Sequence, residues 1–267
     1  MGFFFTRELP RPHALRFDLD AAGHTYPDGQ TGLSATTLSI TERRVGIIGL
    51  NGSGKSTLLG LLDGSLPATS GTVRISGQAD GHGTETSPVG LDPASKRDGK
   101  RIEQLIGRVR REEIPNAFYR ADTIADAVDE ALKKHKVPES ERQARIGDLF
   151  AHFDLANIAR RRADELDSEH RHLLAIAAAL SFDPSAVVAD EPSKGLDEIG
   201  TRHVAEALFS YDKQVVFATH DTAMLIRGEY AIDRVLVLDE CSVVFDGGPA
   251  ESVAFYERLI RSKMSGL

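Results

Sequence analysis

The sequence is poor in three features, and each absence excludes a class of protein. Its 267 residues contain a single cysteine, Cys241, which excludes an internal disulfide and a metal site built from several thiolates. The longest apolar run, residues 173–180, is far shorter than the roughly 20 residues that a membrane-spanning helix needs. An excess of positive charge is also missing, because the formal net charge is −8, so we expect no nucleic-acid partner.

The rest of the composition is that of one folded domain. Hydrophobic residues make up 41% of the chain, enough to form a core, and no internal repeat divides it. Residues 1–12 have neither the basic start nor the long apolar stretch of a secretory signal. We expect them to be a leader in front of a single domain at residues 13–267.

The pattern of apolar residues predicts an α/β fold with a helical insertion. Residues 13–48 alternate between apolar and polar side chains, which predicts strands, and residues 44–48 predict a buried strand. Between residues 101 and 180 the apolar side chains recur at helical spacing. We therefore expect a parallel α/β core at 13–100 and 181–255 and a helical subdomain at 101–180. Further buried strands are predicted at 186–189, 215–218 and 235–238.

Residues 49–57, Gly-Leu-Asn-Gly-Ser-Gly-Lys-Ser-Thr, match the complete phosphate-loop pattern, between a predicted strand and a helical segment. The glycines allow backbone N–H groups to converge on phosphate oxygens, and the positive end of the following helix adds to the attraction. We expect Lys55 to reach the β- and γ-phosphates and the Ser56 hydroxyl to ligate Mg²⁺. A glycine-rich turn without a nucleotide role would not require this context. The predicted nucleotide-binding residues are Asn51, Gly52, Ser53, Gly54, Lys55, Ser56 and Thr57.

Two later strands end in side chains that suit phosphoryl transfer to water. Asp190 and Glu191 end the strand that begins at 186, and neighbouring strand residues point to opposite sides. We therefore assign Asp190 to the metal and Glu191 to orienting and deprotonating the water. His220 follows the strand at 215–218 and can donate a hydrogen bond to the γ-phosphate. Each feature alone is common in strands without catalysis, but a phosphate loop in the same chain favours the catalytic interpretation.

These residues, in this order, resemble the nucleotide-binding domains of ABC proteins over roughly residues 15–255. Lys55 and Ser56 match the Walker A positions, and Asp190 and Glu191 match the Walker B aspartate and the adjoining catalytic glutamate. The resemblance extends to the D-loop at 195–197, to the switch histidine at His220, and to Tyr26, which stands where the family has the aromatic residue that stacks on adenine. An ordinary turn or core tyrosine is the alternative for Tyr26.

The resemblance implies an α/β fold, with a P-loop NTPase (RecA-like) core, an antiparallel β subdomain and an inserted α-helical subdomain. It implies that the protein binds ATP and Mg²⁺ and hydrolyses ATP. The implied partners are a transmembrane transporter subunit and a second ABC ATPase subunit, with a cytoplasmic location at the inner face of the cell membrane. Residues 42–49, 233–238 and 244–249 are similar to the ATPases of energy-coupling-factor importers, of the biotin and cobalt types.

One family motif is replaced by acidic residues. At 166–170, Leu-Asp-Ser-Glu-His stands where the family has the LSGGQ signature, which approaches the γ-phosphate held by the partner subunit. Two like charges about 4 Å apart repel by about 4 kcal/mol at an effective dielectric constant near 20, so the carboxylates of Asp167 and Glu169 cancel the gain from the motif's hydrogen bonds. Asp167 can still cap its helix. We therefore expect pairing with a different ATPase of regular signature, in preference to a homodimer.

A second motif, the Q-loop, is also changed. Residues 106–109 resemble the strand before it, and Arg111 is the best positional match to its glutamine, although Arg110 and Arg111 can equally be a solvated basic pair. The changed motifs leave open a nucleotide-gated ABC module with little hydrolysis. A soluble ABC ATPase acting on DNA or ribosomes is the other alternative. An ABC ATPase of the DNA-repair type contains a long coiled coil, and one of the translation type usually contains a second ABC domain. The sequence shows neither feature.

Overall fold

The structure is a computed structural model that describes residues 14–77, 90–110 and 114–265. The expected leader at 1–12 and the Q-loop candidate Arg111 lie outside the described residues. The strands are β1 (Leu15–Thr25), β2 (Thr31–Ile40), β3 (Arg44–Gly49), β4 (Ser70–Gly77), β5 (Ile106–Val109), β6 (Ala186–Asp190), β7 (Gln214–Ala218), β8 (Arg234–Asp239) and β9 (Ser242–Gly247).

The helices fall into a group before β6 and a group after it. The first group is α1 (Lys55–Leu62), α2 (Lys96–Leu105), α3 (Ile124–Lys134), α4 (Glu139–His152) and α5 (Ser168–Leu180). The second is α6 (Glu198–Phe209), α7 (Thr222–Ile226) and α8 (Pro249–Ser265). Within the described ranges, no helix combines the length and the apolar composition needed to cross a bilayer.

The larger sheet has six strands in the order β5-β6-β7-β3-β8-β9, all parallel except for β9. Every residue of β6 and β7 is buried, as expected for interior strands of a parallel sheet with both faces covered. Because β3, β7 and β6 are parallel neighbours, the residues that follow them lie at one edge of the sheet. The phosphate loop, the two acids and the histidine are therefore brought to the same edge.

The smaller sheet is antiparallel, with the order β2-β1-β4. Alternate residues at the start of β1, namely Leu15, Phe17 and Leu19, are buried in a core shared with α1 and the larger sheet. The buried side chain of Gln214 joins the two sheets, since its amide nitrogen donates to the Leu15 carbonyl (2.9 Å) and its oxygen accepts from the Leu15 backbone N–H (2.8 Å).

Three helices, α3, α4 and α5, form a helical arm between β5 and β6. Thr123 caps α3 and Asp167 caps α5, each by accepting a hydrogen bond from the backbone N–H three residues on. The prediction of one helical segment at 101–180 is too broad at its start, because residues 106–109 form β5 and pair with β6. These four residues are the ones whose resemblance to the strand before the Q-loop indicated a strand here. The predicted combination of P-loop core, antiparallel β subdomain and helical insertion is confirmed.

Candidate nucleotide-binding site

The phosphate loop bends sharply between β3 and α1. Gly52 and Gly54 both have left-handed backbones, with φ of 79° and 100°. Gly54 also leaves no room for a side chain, since a Cβ there would lie 2.7 Å from the Gly32 carbonyl oxygen. Only glycine accepts both conditions without strain. The loop therefore enters the N-terminus of α1 in the form that suits phosphate binding.

Lys55, the first residue of α1, has its ammonium group folded onto the loop. The residue is only 4% exposed, and its Nζ donates to the carbonyl oxygens of Gly49 (2.8 Å) and Leu50 (3.0 Å). A buried ammonium is strongly destabilised unless polar groups surround it. At the positive end of a helix it adds to the attraction for an anion, so this position suits the phosphates of a nucleotide.

Tyr26 lies directly against this helix. Its phenolic oxygen is 2.9 Å from Thr57 Oγ1, and its ring meets the edge of the His24 ring at 4.7 Å between centroids. A Cβ at Gly32 would come within 2.6 Å of the tyrosine ring, so the glycine makes room for it. The structure thus brings Tyr26 to the phosphate loop, and its stacking on adenine stays a prediction.

Asp190, at the end of β6, carries an unsatisfied acceptor. The residue is 9% exposed, and its Oδ1 has no hydrogen-bond partner among the described residues. Ser53 Oγ in the phosphate loop is likewise buried without a partner there. Buried acceptors normally have partners, so an unpaired carboxylate oxygen fits a bound cation.

The protein groups available for that cation fit Mg²⁺ bound together with a nucleotide. Within the described ranges, no group of three or more His, Cys, Asp or Glu side chains could hold a metal ion. Mg²⁺ is usually held by one or two protein oxygens together with phosphates and water. Asp190 and the exposed Ser56 hydroxyl match that requirement.

Hydrogen bonds join the ends of the three central strands. The Thr219 backbone N–H donates to the Ile47 carbonyl (3.0 Å), and the Glu191 backbone N–H donates to the Ala218 carbonyl (2.9 Å). β3, β7 and β6 are thereby fixed to one another at the edge where the phosphate loop begins. The side chains that follow β6 and β7 are positioned by this shared frame.

Glu191 and His220 form a close pair at this edge. Glu191 is buried, and its Oε1 lies 2.8 Å from His220 Nε2, while its Oε2 lies 3.8 Å from Lys194 Nζ. Its backbone is left-handed, with φ of 48°, a conformation that costs a non-glycine residue about 1–3 kcal/mol and recurs at functional sites. A buried carboxylate paired with an imidazole is suited to accept a proton from water.

The turn between β8 and β9 lies against the phosphate loop, which the sequence did not indicate. Cys241 Sγ donates to the Thr31 carbonyl (3.0 Å) and lies 3.6 Å from the Gly52 carbonyl oxygen. The Cys241 carbonyl in turn accepts from the Ser34 backbone N–H (2.7 Å). Both turn residues, Glu240 and Cys241, are left-handed, with φ of 45° and 61°.

Replacing Glu240 by glycine should stabilise the protein by about 1 kcal/mol, because glycine adopts a left-handed backbone without the steric penalty of a side chain. For a chain of this size the thermal midpoint should rise by about 2–4 °C, measurable by calorimetry. Glu240→Ala is the matched control, since it also removes the exposed carboxylate but keeps the penalty. Equal midpoints for the two variants would contradict the prediction.

The model of the ABC transporter family matches residues 34–194. The chain belongs to this family. It is 30% identical to an ABC transporter ATP-binding protein of Deinococcus radiodurans over 239 residues, which cover 90% of this chain and 96% of that protein. It is 28% identical to the biotin transport ATP-binding protein BioM of Rhizobium etli over 245 residues, which cover 92% of this chain and 99% of that protein.

Solved structures agree with this assignment. The chain matches cbiO1 of Clostridium perfringens, described as part of the ABC transporter complex cbiONQ, with a TM-score of 0.72, 25% identity and coverage of 92% of this chain and 93% of that one. It also shares its fold with the dimeric cassette MJ0796 bound to ADP and phosphate, with a TM-score of 0.69, 23% identity and coverage of 87% and 98%. The chain is therefore an ATP-binding subunit of the ABC transporter type.

At the start of α5, where the family has its signature motif, the two carboxylates have hydrogen-bond or ion-pair partners within the chain. Asp167 accepts from the His170 backbone N–H (2.9 Å), and His170 Nδ1 lies 2.8 Å from both of its carboxylate oxygens. The donated backbone N–H holds the pKa of Asp167 below its usual value, and the His170 side chain adds to the effect. Glu169 Oε1 lies 2.8 Å from His203 Nδ1. The expected helix cap at Asp167 is confirmed, and this carboxylate remains ionised at neutral pH.

Proposed function

We propose that this single ABC ATPase domain, at residues 13–267, binds and hydrolyses ATP to drive a membrane importer of the energy-coupling-factor type. The observation that carries the proposal is the Glu191–His220 pair, 2.8 Å apart, at the sheet edge that also holds Lys55 and Asp190. Hydrolysis is promoted by a side chain beside the phosphate-binding loop that orients the attacking water or takes its proton, and Glu191 in this pair can do both.

In this mechanism binding of the nucleotide and attack by water are assigned to different side chains. Lys55 and the N-terminus of α1 neutralise the β- and γ-phosphates. Asp190 and Ser56 would hold Mg²⁺, which would supply further charge neutralisation at the phosphates. Glu191 orients the attacking water and takes its proton, and His220 donates a hydrogen bond to the γ-phosphate. The ring of Tyr26 stacks on adenine, while residues 51–54 and Thr57 complete the binding loop.

The proposed transport role rests on the kinds of relatives the chain has. BioM is named for biotin transport, and cbiO1 is described as part of the transporter complex cbiONQ. An ATPase of this type acts through a transmembrane partner, so we place the protein on the inner face of the cell membrane, bound to such a subunit.

A second ATPase subunit of regular signature is the favoured dimer partner. In a homodimer, the ionised Asp167 and the acidic Glu169 would face the γ-phosphate at both composite sites. Like charges about 4 Å apart repel by about 4 kcal/mol at an effective dielectric constant near 20. The site formed by Lys55, Asp190 and Glu191 is completed by the partner's signature. A different ATPase with a regular signature would therefore bring no carboxylates to the γ-phosphate bound there.

Removing the charges of Asp167 and Glu169 at the start of α5 tests this pairing. In the isolated chain, Asp167→Asn with Glu169→Gln should raise the ATPase rate about tenfold or more, since each 1.36 kcal/mol removed from the barrier is worth a factor of ten. Asparagine keeps the helix cap, so the fold is retained. Glu139→Gln with Glu141→Gln, which removes the same charge from exposed positions on α4, is the matched control.

Two results would oppose the proposal. If the unmodified chain alone hydrolyses ATP as fast as its mixture with a second ABC ATPase, the pairing is wrong. If the neutralised variant binds ATP but turns over as slowly as the unmodified chain in every mixture, a nucleotide-gated module with little hydrolysis is favoured, because Asp167 and Glu169 then do not limit the rate.

A further inference from the structure

A buried histidine lies beside the tyrosine that is proposed to stack on adenine. His24 is in β1, where it pairs with Leu33 of β2, and it is only 6% exposed. Its Nδ1 lies 2.8 Å from the Pro67 carbonyl oxygen. Because a carbonyl oxygen can only accept, Nδ1 carries the proton and donates it. This bond fixes the plane of the imidazole ring and connects β1 to the segment between α1 and β4.

The imidazole ring of His24 packs against the ring of Tyr26. The two ring centroids are 4.7 Å apart, and the ring planes cross at 81°. In such an edge-to-face pair the positive edge of one ring meets the negative face of the other, which stabilises the pair beyond the burial of its surface. Residues two apart in an extended chain point to the same side, which explains why His24 reaches Tyr26. The orientation of the tyrosine ring therefore depends on His24.

Hydrogen bonds fix the rest of the tyrosine. The backbone N–H and carbonyl of Tyr26 are both hydrogen-bonded within the turn between β1 and β2. At the far end of the side chain, the phenolic oxygen lies 2.9 Å from Thr57 Oγ1 on α1, two residues after Lys55. Tyr26 is partly exposed, so a base can still reach it. The ring is thus held at a fixed place beside the phosphate loop, with His24 at its side.

We propose that His24 is a positioning residue for the nucleotide base, because it holds the ring of Tyr26 in the orientation that stacks on adenine. This inference deepens the proposed function and rests on it, since it requires ATP at Lys55 with its base on Tyr26. A ligand that must immobilise a side chain loses affinity, and a ring that is already held avoids this loss. The hydrogen bond of His24 goes to Pro67 and its ring contact to Tyr26, so its effect reaches the nucleotide through the tyrosine.

A comparison of ATP with inorganic tripolyphosphate, each with Mg²⁺, tests this role by titration calorimetry of the full chain. Tripolyphosphate can occupy the phosphate loop but carries no base. His24→Ala should weaken ATP binding about five- to tenfold, the equivalent of one aromatic pair, and should change tripolyphosphate binding by less than about twofold. His24→Phe should restore most of the ATP affinity, because it keeps an aromatic ring. Leu19→Ala, at a buried position of the same strand, is the control for a weakened sheet and should bind both ligands normally.

A double-mutant cycle shows whether His24 acts through Tyr26. In a Tyr26→Leu background, His24→Ala should cause no further loss of ATP affinity, since the ring that it positions is gone. If the loss were as large there as in the unmodified background, His24 would act on the nucleotide by another route, and the inference would be overturned.

The role of His24 is also wrong if folded His24→Ala binds ATP as tightly as the unmodified chain, or if it loses ATP and tripolyphosphate equally. Should His24→Ala fail to fold, His24→Asn decides, because its amide can donate to Pro67 but offers no ring. The same selective loss is expected from it, and normal ATP affinity would refute the inference. An unmodified chain that binds tripolyphosphate as tightly as ATP would refute it too, with the phosphate loop intact. A chain that binds neither ligand would overturn the proposed function itself.

Discussion

Replacing Lys55 by alanine should weaken ATP binding about 100-fold and abolish measurable hydrolysis. Hydrogen bonds to charged groups contribute about 1.5–3 kcal/mol each, which corresponds to a factor of about 10–100 in affinity. The Lys55 ammonium is buried against the carbonyls of Gly49 and Leu50, so no other cation can take its place without rebuilding the loop. The loss should therefore lie at the upper end of that range.

Titration calorimetry with ATP measures the affinity, and phosphate release measures the turnover. Lys134→Ala removes an exposed lysine near the end of α3 and is the control, which should bind as the unmodified chain does. Both variants must first show an unchanged thermal midpoint within a few degrees. Normal ATP affinity in a folded Lys55→Ala variant would contradict the assignment of residues 49–57 as the nucleotide-binding loop.

The central part of the site could be predicted from the sequence because its signals are local. The phosphate loop is one uninterrupted pattern, and β6 and β7 are short apolar runs that end in Asp190, Glu191 and His220. Since parallel strands place their carboxyl ends at the same edge, the sequence order alone implies that these side chains meet. The 2.8 Å Glu191–His220 contact agrees with that inference.

The contacts that the sequence did not reveal join segments far apart in the chain. Cys241 reaches Gly52 across 189 positions, because β8 is the neighbour of β3 in the sheet. Asp63 meets Arg108 and Arg110 only because α1 ends beside the edge strand β5. The periodicity of apolar residues in the sequence cannot predict these contacts, because they depend on the order of the strands in the sheet.

Glu191→Gln should leave ATP binding intact and reduce turnover by about 10²–10⁴-fold, the usual contribution of a general base. Glutamine has the shape of glutamate and can still accept a hydrogen bond from His220, but it cannot take a proton from water. The variant should therefore accumulate with ATP bound, and the bound nucleotide recovered from it should be ATP in place of ADP. This result separates a true ATPase from a module that only binds nucleotide, which would be almost unaffected.

Glu198→Gln is the matched control for this change, because it makes the same substitution seven residues later in a side chain that is 91% exposed. Its turnover should equal that of the unmodified chain. Single-turnover measurements in the assembled complex distinguish slow hydrolysis from slow product release. If Glu191→Gln hydrolysed bound ATP within twofold of the normal rate, the proton would have another acceptor. The pair of Glu191, which is buried, and His220, which is exposed, would then serve to hold the ends of β6 and β7 together, and the catalytic role assigned to it would be lost.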